Sequence, residues 1–540
     1  MKVEHDVRFP PAGAARGQDD SMLEASFADL ADDFDELAHI ARSARDRLSV
    51  SLGELRRCRT LLQPSTVRTL DDQVQELRSR FAASLDELVT LRVAAARGER
   101  SQSSLVRLTE RKYAHAELMR SQHGLVGAMV TATDWQSPSF AHAMRSQAGR
   151  LTGRITEHHD DYKRDRHADA AEYERAYLDQ YVANPSGLDL RALMTGCGMA
   201  AFTTILAFLE MEGKLGRPVV SGRSLYHECK QLLRRSRASD RIVWVDEHDV
   251  RAQVRAVATL QPGALFIDSM CNAKGIALPD LGRLITLLAA QASDELYLVI
   301  DNTALSSAFQ PFAMLTRGRR SLRLLVFESL TKYAQLGLDR TPAGMIVAEG
   351  TDVADALDGY REHLGTNVPD AVVHAIPFPE RSIYERRLAR LGRNASLLAE
   401  AVQRRAETLN GELFTGACYP GLANHPANAW IRHQWFGGGF FEVGFAGRPD
   451  AIRLQHRFVD VVLEMARARG VPIAAGASFG LNTTRVYHTA STSAYGEPFV
   501  RISPGTEHSL GIEAVAGVLL AAMDRLALEA RQLPRFRVEA

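Results

Sequence analysis

Short runs rich in β-branched and aliphatic residues follow one another between residues 217 and 327: RPVVSG, RIVWVD, ALFIDS, LYLVID and LRLLVF. Stretches with helical character, such as Leu281 to Ala290, separate them. Parallel strands need crossover helices, and those helices cover both faces of the sheet. The expected fold class is therefore α/β, a mostly parallel sheet flanked by helices. Ligands on such sheets sit beyond the carboxyl ends of the strands. Apolar residues make up 46% of the 540 and charged residues 24%, an ordinary balance for a globular chain. Lys+Arg and Asp+Glu stand at 65 each, so there is no net charge to attract a polyanion, which argues against nucleic acid as a partner. No apolar run is long enough to span a bilayer. The N-terminal segment lacks the apolar centre of a secretion signal and reads as a disordered lead-in. Five cysteines without C-x-x-C spacing argue against a disulfide framework or a metal site and fit a reducing cytoplasm.

Three regions are expected: a helical N-terminal extension over 1–115, a large α/β domain over 116–370, and a smaller C-terminal α+β domain over 371–540. In the extension one apolar stripe runs Leu23, Phe27, Leu30, Phe34, Leu37, Ile40 and a second runs Leu70, Val74, Leu77, Phe81, Leu85, Leu88, Leu91. Both have helical spacing, with Asp, Glu and Arg on the opposite side. Pro64 is expected to break the chain between them, with Ser65 or Thr69 capping the second helix. Each stripe is short for a free coiled coil, so a helical hairpin packed on the body is favoured over an oligomerising module. The charged stretch ERRLARLGRNASLLAEAVQRRAE leads into the C-terminal region, where GGGFFEVGF and FVRISPG supply further strands.

The segment TGCGMAA at 195–201 has two readings. Gly196, Gly198 and Ala201 fit the turn of a dinucleotide site, and the same glycines fit a phosphate cradle at a helix N-terminus. A dinucleotide site needs an acid at the end of the following strand. RPVVSG ends instead in Ser221 and Gly222. Two other strand ends carry chemistry. LYLVIDNT ends in Asp301, and LRLLVFESLTKY leads to Ser329, Thr331 and Lys332. Burial lowers a lysine pKa and frees its amine for a Schiff base. An acid facing a ring nitrogen and a lysine facing an aldehyde are what pyridoxal 5′-phosphate requires. Backbone N–H groups of Gly198 and Met199, with the hydroxyls of Ser329 and Thr331, then hold the phosphate.

From about residue 120 onward the chain resembles the Cys/Met-metabolism, or trans-sulfuration, family of fold-type-I pyridoxal-phosphate enzymes, which includes cystathionine γ-synthase and the cystathionine lyases. CGMAA at 197–201 is similar to the family's S-G-M-A-A, YHEC at 226–229 to its Y-G-G-T, and DSMCNA at 268–273 to its E-S-P-x-N-P. Asp301-Asn302-Thr303 and the run from Ser329 to Tyr333 match D-N-T and S-x-T-K-Y. The resemblance implies that Tyr226 stacks on the pyridine ring and assists proton transfer, and that Asn272 bonds the pyridoxal 3-oxygen. It implies that Arg501, in FVRISPGTEH, clamps the substrate α-carboxylate with Ser478 beside it. YKR at 162–164 resembles the Y-S-R segment that reaches a neighbouring subunit's phosphate, which nominates Tyr162 and Arg164 and implies a homodimer or homotetramer with shared sites.

The departures bear on substrate. KYAQLGLDRTPAG keeps Asp339 and Gly344 but lacks the family's Gly-His pair, and ERSIYERRL replaces G-L-x-T-L. Asn-Pro-Thr after Tyr-x-Arg has become His-Ala-Asp at 167–169. Such loops set substrate choice, so the expected function is β- or γ-elimination or γ-replacement on an amino acid bearing a leaving group, in a specialised pathway. An unsaturated amino acid is among the conceivable products. The same constellation also serves transamination, racemisation and decarboxylation. A scaffold built on a spent enzyme body is the non-enzymatic alternative.

Overall fold

The computed structural model describes residues 16–57, 63–133, 168–318, 321–447, 450–489 and 496–532. Tyr162 and Arg164 lie outside these residues. The first three helices are α1 (Arg16–Arg57), α2 (Pro64–Arg97) and α3 (Gln102–Thr133). Phe27, Leu30, Phe34, Leu37 and Ile40 of α1 and Val74, Leu77, Phe81, Leu85 and Leu88 of α2 are all buried in one core. The packed-hairpin reading holds, with α3 as a third member running through residue 115. The expected cap is different. Pro64 occupies the first turn of α2, where its missing N–H costs nothing, and the chain enters through Gln63. Ser65 and Thr69 lie inside the helix, where the Thr69 hydroxyl donates to the Ser65 carbonyl at 3.0 Å.

Helix α4 (Ala168–Tyr181) precedes the main sheet, whose strands are β1 (Leu190–Thr195), β2 (Val219–Gly222), β3 (Ile242–Val245), β4 (Ala264–Asp268), β5 (Leu296–Asp301), β6 (Leu322–Ser329) and β7 (Gly344–Glu349). The order is β1-β7-β6-β5-β4-β2-β3. All neighbours are parallel except β7, which runs antiparallel to both β6 and β1. Every residue of β4 is buried, as befits a strand covered on both faces. The crossover helices are α5 (Gly198–Met211), α6 (His227–Leu233), α7 (Val250–Leu260) and α8 (Leu281–Gln291). Helices α9 (Thr351–Leu364), α10 (Asp370–His374) and α11 (Arg381–Thr408) lead to the second sheet.

That sheet has the order β10-β11-β12-β9-β8, built from β8 (Phe414–Cys418), β9 (Phe441–Phe445), β10 (Ile473–Ala475), β11 (Thr484–Thr489) and β12 (Phe499–Ser503). Between its strands lie α12 (Asn428–Ile431) and α13 (Ala451–Arg469), and the C-terminal α14 (Ser509–Gln532) follows. It has its own core around Phe414, Phe458 and Leu519.

The extension is tied to the body by charge as well as by its apolar stripe. Asp29, Asp32, Asp33 and Glu36 recur at helical spacing along α1 and meet Arg386, Arg387, Arg390 and Arg393 of α11. Sequence periodicity assigns these acids to the side away from the apolar stripe, yet Asp29, Asp33 and Glu36 are buried. Arg393 grips both Asp29 oxygens at 2.9 Å, and the Ser509 backbone N–H donates to Asp29 Oδ2 at 2.8 Å. Burial works to raise the Asp29 carboxyl, but the Arg393 hydrogen bonds and the Arg390 charge outweigh it and hold the group below its ordinary 3.8. A carboxyl depressed by folding stabilises the native state above its unfolded pKa, and that contribution is lost as pH falls through the lower folded value. Asp29→Asn is therefore expected to lower the melting temperature at pH 7, by an amount equivalent to about 3 kcal/mol. In melts repeated at successively lower pH, the gap to the wild type should close below the carboxylate range.

Candidate active site

The carboxyl ends of β4, β5 and β6 open onto a cavity of about 620 Å³, which the second sheet closes from the other side. Its lining brings together Gly198, Met199, Tyr226, Asn272, Asp301, Ser329, Lys332 and Arg501. Residues from six separate sequence segments thus converge as the motif order implies. Thr331 stands apart, half-buried and off the cavity wall. Ser478 is not on the wall either, but its Oγ lies 3.3 Å from the Lys332 amine.

Helix α5 begins at Gly198, with the Cys197 thiol accepting from the Ala200 N–H at 3.3 Å. The N–H groups of Gly198 and Met199 belong to the first turn and have no acceptor within the helix. A Cβ at position 198 would lie 2.8 Å from Ser329 Cβ, and one at position 344 would lie 2.4 Å from the Cys197 carbonyl oxygen. Glycine at these two positions lets strand ends and helix start close into a narrow cradle. The donors and the shape suit a phosphate ester.

Asp301 and Asp268 are register partners on β5 and β4, side by side at the sheet edge. Asp301 Oδ1 accepts from the Thr303 N–H at 2.9 Å. Burial raises its pKa, while the Thr303 bonds and the Lys332 charge oppose that. Asp268 is pushed up by burial and by the Asp301 charge. One of its oxygens accepts from the Tyr226 N–H at 2.9 Å, and the other has no partner. Asp268 therefore fixes the backbone of the tyrosine that faces the cavity. Sequence reasoning passed over it, although ALFID ends in an acid just as LYLVID does. The Tyr226 hydroxyl is held neutral by burial and its bond to Glu228.

Lys332 is largely enclosed. Burial lowers its pKa below the ordinary 10.5, partly offset by the Asp339 carboxylate and reinforced by the Arg501 charge. Ser478 Oγ in turn donates to Asp339 Oδ1 at 3.2 Å. Phe479 packs near both groups, its ring centre 5.7 Å from the Lys332 amine and 5.5 Å from the Arg501 guanidinium carbon. Arg501 is 1% exposed and pushed down to about 10 by burial, still a cation at neutral pH. It donates through Nη1 to Asn272 Oδ1 at 2.8 Å and through Nη2 to the Ala477 carbonyl, while its Nε is buried without a partner. Asn272, nominated for the cofactor ring, is thus also bonded to the arginine. Burial pushes the Cys229 and Cys271 thiols up, which suits wall residues rather than nucleophiles. Among the described residues, no His/Cys/Asp/Glu group could hold a metal, and no helix is long and apolar enough to cross a membrane.

An enclosed lysine, a buried acid at the end of the neighbouring strand and a phosphate cradle on a β1-β7-β6-β5-β4-β2-β3 sheet define a pyridoxal-phosphate enzyme of fold type I. The chain belongs to the Cys/Met metabolism PLP-dependent enzymes, a family matched by residues 126–509. Over 344 residues it is 30% identical to the bifunctional enzyme flvA of Aspergillus flavus, a match covering 63% of this chain and 40% of that protein. The chain thus spans less than half the length of that relative. A crystal structure of cystathionine gamma synthase from Xanthomonas oryzae pv. oryzae, in complex with aminoacrylate and cysteine, superposes with a TM-score of 0.54 at 21% identity. That superposition covers 69% of this chain and 90% of the other. The structure of metB from Corynebacterium glutamicum gives a TM-score of 0.54 at 20% identity, over 68% of this chain and 88% of the other. These likenesses establish the fold.

The lowered pKa of Lys332 makes it the more reactive amine at mildly alkaline pH. Lys274, whose ammonium is raised by its hydrogen bond to Glu497, provides a contrast on the same chain. Competitive labelling of the cofactor-free protein with a small amine reagent at pH 8 should modify Lys332 before Lys274. Peptide mass mapping over time reads the order.

Proposed function

We propose that the chain eliminates or replaces a leaving group at Cβ or Cγ of an amino acid, with Lys332 as the proton-moving base. The observation that carries this reading is the convergence of the Lys332 amine and the Arg501 guanidinium on Phe479 in one cavity. When bound, pyridoxal phosphate supplies an aldehyde that joins amines and a ring that withdraws electrons from the substrate's Cα. The fit rests on the cradle of Gly198, Met199 and Ser329, too narrow for a Cβ at position 198, and on the carboxylate of Asp301 at the opposite end. Asn272 and Tyr226 also line the cavity, and Asp301 would keep the ring nitrogen protonated.

Arg501 pairs with the substrate α-carboxylate, its fork held by Asn272 and the Ala477 carbonyl. This fixes the Cα–H bond relative to Lys332. The Lys332 amine, whose pKa burial lowers, takes the Cα proton as general base. For a leaving group on Cγ, Lys332 must also give up the proton taken from Cα and then remove one from Cβ, so the base must reach both carbons. The Tyr226 hydroxyl, neutral in its buried setting, can donate to a departing group. A specialised substrate remains the reading, because the loops that set it depart from the family pattern. A cytoplasmic homodimer or homotetramer completes it, with Tyr162 and Arg164 as the residues that reach a neighbour's site.

The protein purified with pyridoxal phosphate should be yellow, and borohydride followed by peptide mapping should place the label on Lys332. Lys332→Ala should abolish both the lysine-linked absorbance and turnover. A colourless wild type, or label at another lysine, would refute the reading. Arg501→Lys loses the planar fork but keeps the charge, so KM for O-acyl homoserine or a γ-halogenated amino acid should rise roughly tenfold or more, with a smaller change in kcat. Release of keto acid and ammonia marks elimination, whereas stoichiometric conversion to the pyridoxamine form marks transamination instead.

A further inference from the structure

The segment 477–482 touches both Lys332 and Arg501. Ala477 accepts from Arg501, Ser478 bonds Lys332 and Asp339, and Phe479 packs near both Lys332 and Arg501. Its own support comes from behind. Arg387 of α11, with a wholly buried side chain, donates through Nη2 to the Gly480 carbonyl at 2.8 Å and to Asn482 Oδ1 at 2.9 Å. The other arm of the same guanidinium, Nη1, is paired with Glu36 of α1. Gly480 has φ +80°, a conformation that needs holding in place.

A second support acts on the opposite wall. Just beyond Lys332, Leu336, Gly337 and Asp339 have φ of 49°, 84° and 45°, a strained run for two residues that carry a Cβ. Arg120 of α3 donates to the Leu338 carbonyl at 3.0 Å, and Arg340 donates back to the Arg120 carbonyl at 2.9 Å. The two supports meet, because a Cβ at position 337 would lie 2.4 Å from Asn482 Oδ1 and 2.7 Å from Arg387 Nη2. Two helices of the N-terminal extension therefore reach the loops that present Ser478 and Asp339 to Lys332.

We propose that Glu36 and Arg387 form a buried relay that positions segment 477–482, and with it Ser478, against Lys332. The helical extension is then part of the catalytic unit rather than an appendage. Both are positioning residues, acting through Gly480 and Asn482. Glu36→Gln keeps the shape of the side chain but removes the charge that orients Arg387. A buried cation left unpaired can destabilise the fold, so Asn482→Ala provides a second variant that leaves the ion pair and the bond to the Gly480 carbonyl intact and cuts the bond to the Asn482 side chain. Asp35→Asn, at a neighbouring, more exposed pair with Arg386, is the control.

This inference rests on the reading of Lys332 given above, and the two fail in different ways. If Lys332 is not the cofactor-linked amine, no form of the protein yields label there. If only the relay is wrong, all forms yield label and behave alike. Two quantities are read: kcat, and the pH midpoint of Lys332 labelling in the cofactor-free protein. That midpoint depends on the groups facing the amine, namely Asp339, Arg501, Arg485 and Glu228. In Glu36→Gln and Asn482→Ala, kcat should fall roughly tenfold and the midpoint should move by about half a unit or more, while Asp35→Asn matches the wild type. Should Glu36→Gln fail to fold, Asn482→Ala decides by itself. Wild-type kcat and midpoint in Asn482→Ala, or equal losses in Asp35→Asn, would overturn the relay.

Discussion

A lysine amine can act as a base at neutral pH only if its surroundings make the charged form costly, and the site is organised around that requirement. Strands β4, β5 and β6 run parallel, so their last residues share one edge and the chain turns from Ser329 directly to Lys332 beneath the second sheet. Burial then lowers the lysine pKa, while Asp339 limits the fall. The enclosure draws on the second sheet as well, because Arg501 stands on β12 and Ser478 and Phe479 on the loop between β10 and β11. The lowered pKa of the Lys332 amine is thus a property of both sheets together.

The same edge explains why two carboxylates can stand side by side in a closed space. Asp268 and Asp301 are fixed by strand register, and the nearby Asp301 charge adds to burial in raising the Asp268 pKa. Their hydrogen bonds differ. Asp268 receives the Tyr226 backbone N–H and Asp301 that of Thr303, and both line the cavity.

Much of this was legible in the sequence. Apolar runs ending in Asp301 and Ser329 are observed as β5 and β6, and Leu281 to Ala290 lies within α8. The motif order brings Gly198, Tyr226, Asn272, Lys332 and Arg501 to one cavity. β7 was harder to read, because GMIVAE is a plain apolar run whose antiparallel direction follows from tertiary pairing alone. The partnership between α1 and α11 was missed because periodicity separates apolar from charged positions and treats the charged ones as solvated. The acids of ADLADDFDEL and the arginines of ERRLARLGRN each recur at helical spacing, but complementarity between segments some 350 residues apart shows only once they touch.

That acid–base seam also restricts how the chain can drift over generations. Apolar stripes tolerate exchange of one aliphatic residue for another, but a seam of matched charges accepts change only in compensating pairs. Sliding α1 by a single helical turn would set Asp29, Asp33 and Glu36 against the wrong arginines. The seam therefore works as a vernier, and it fixes where the first helix sits more finely than its oily side could.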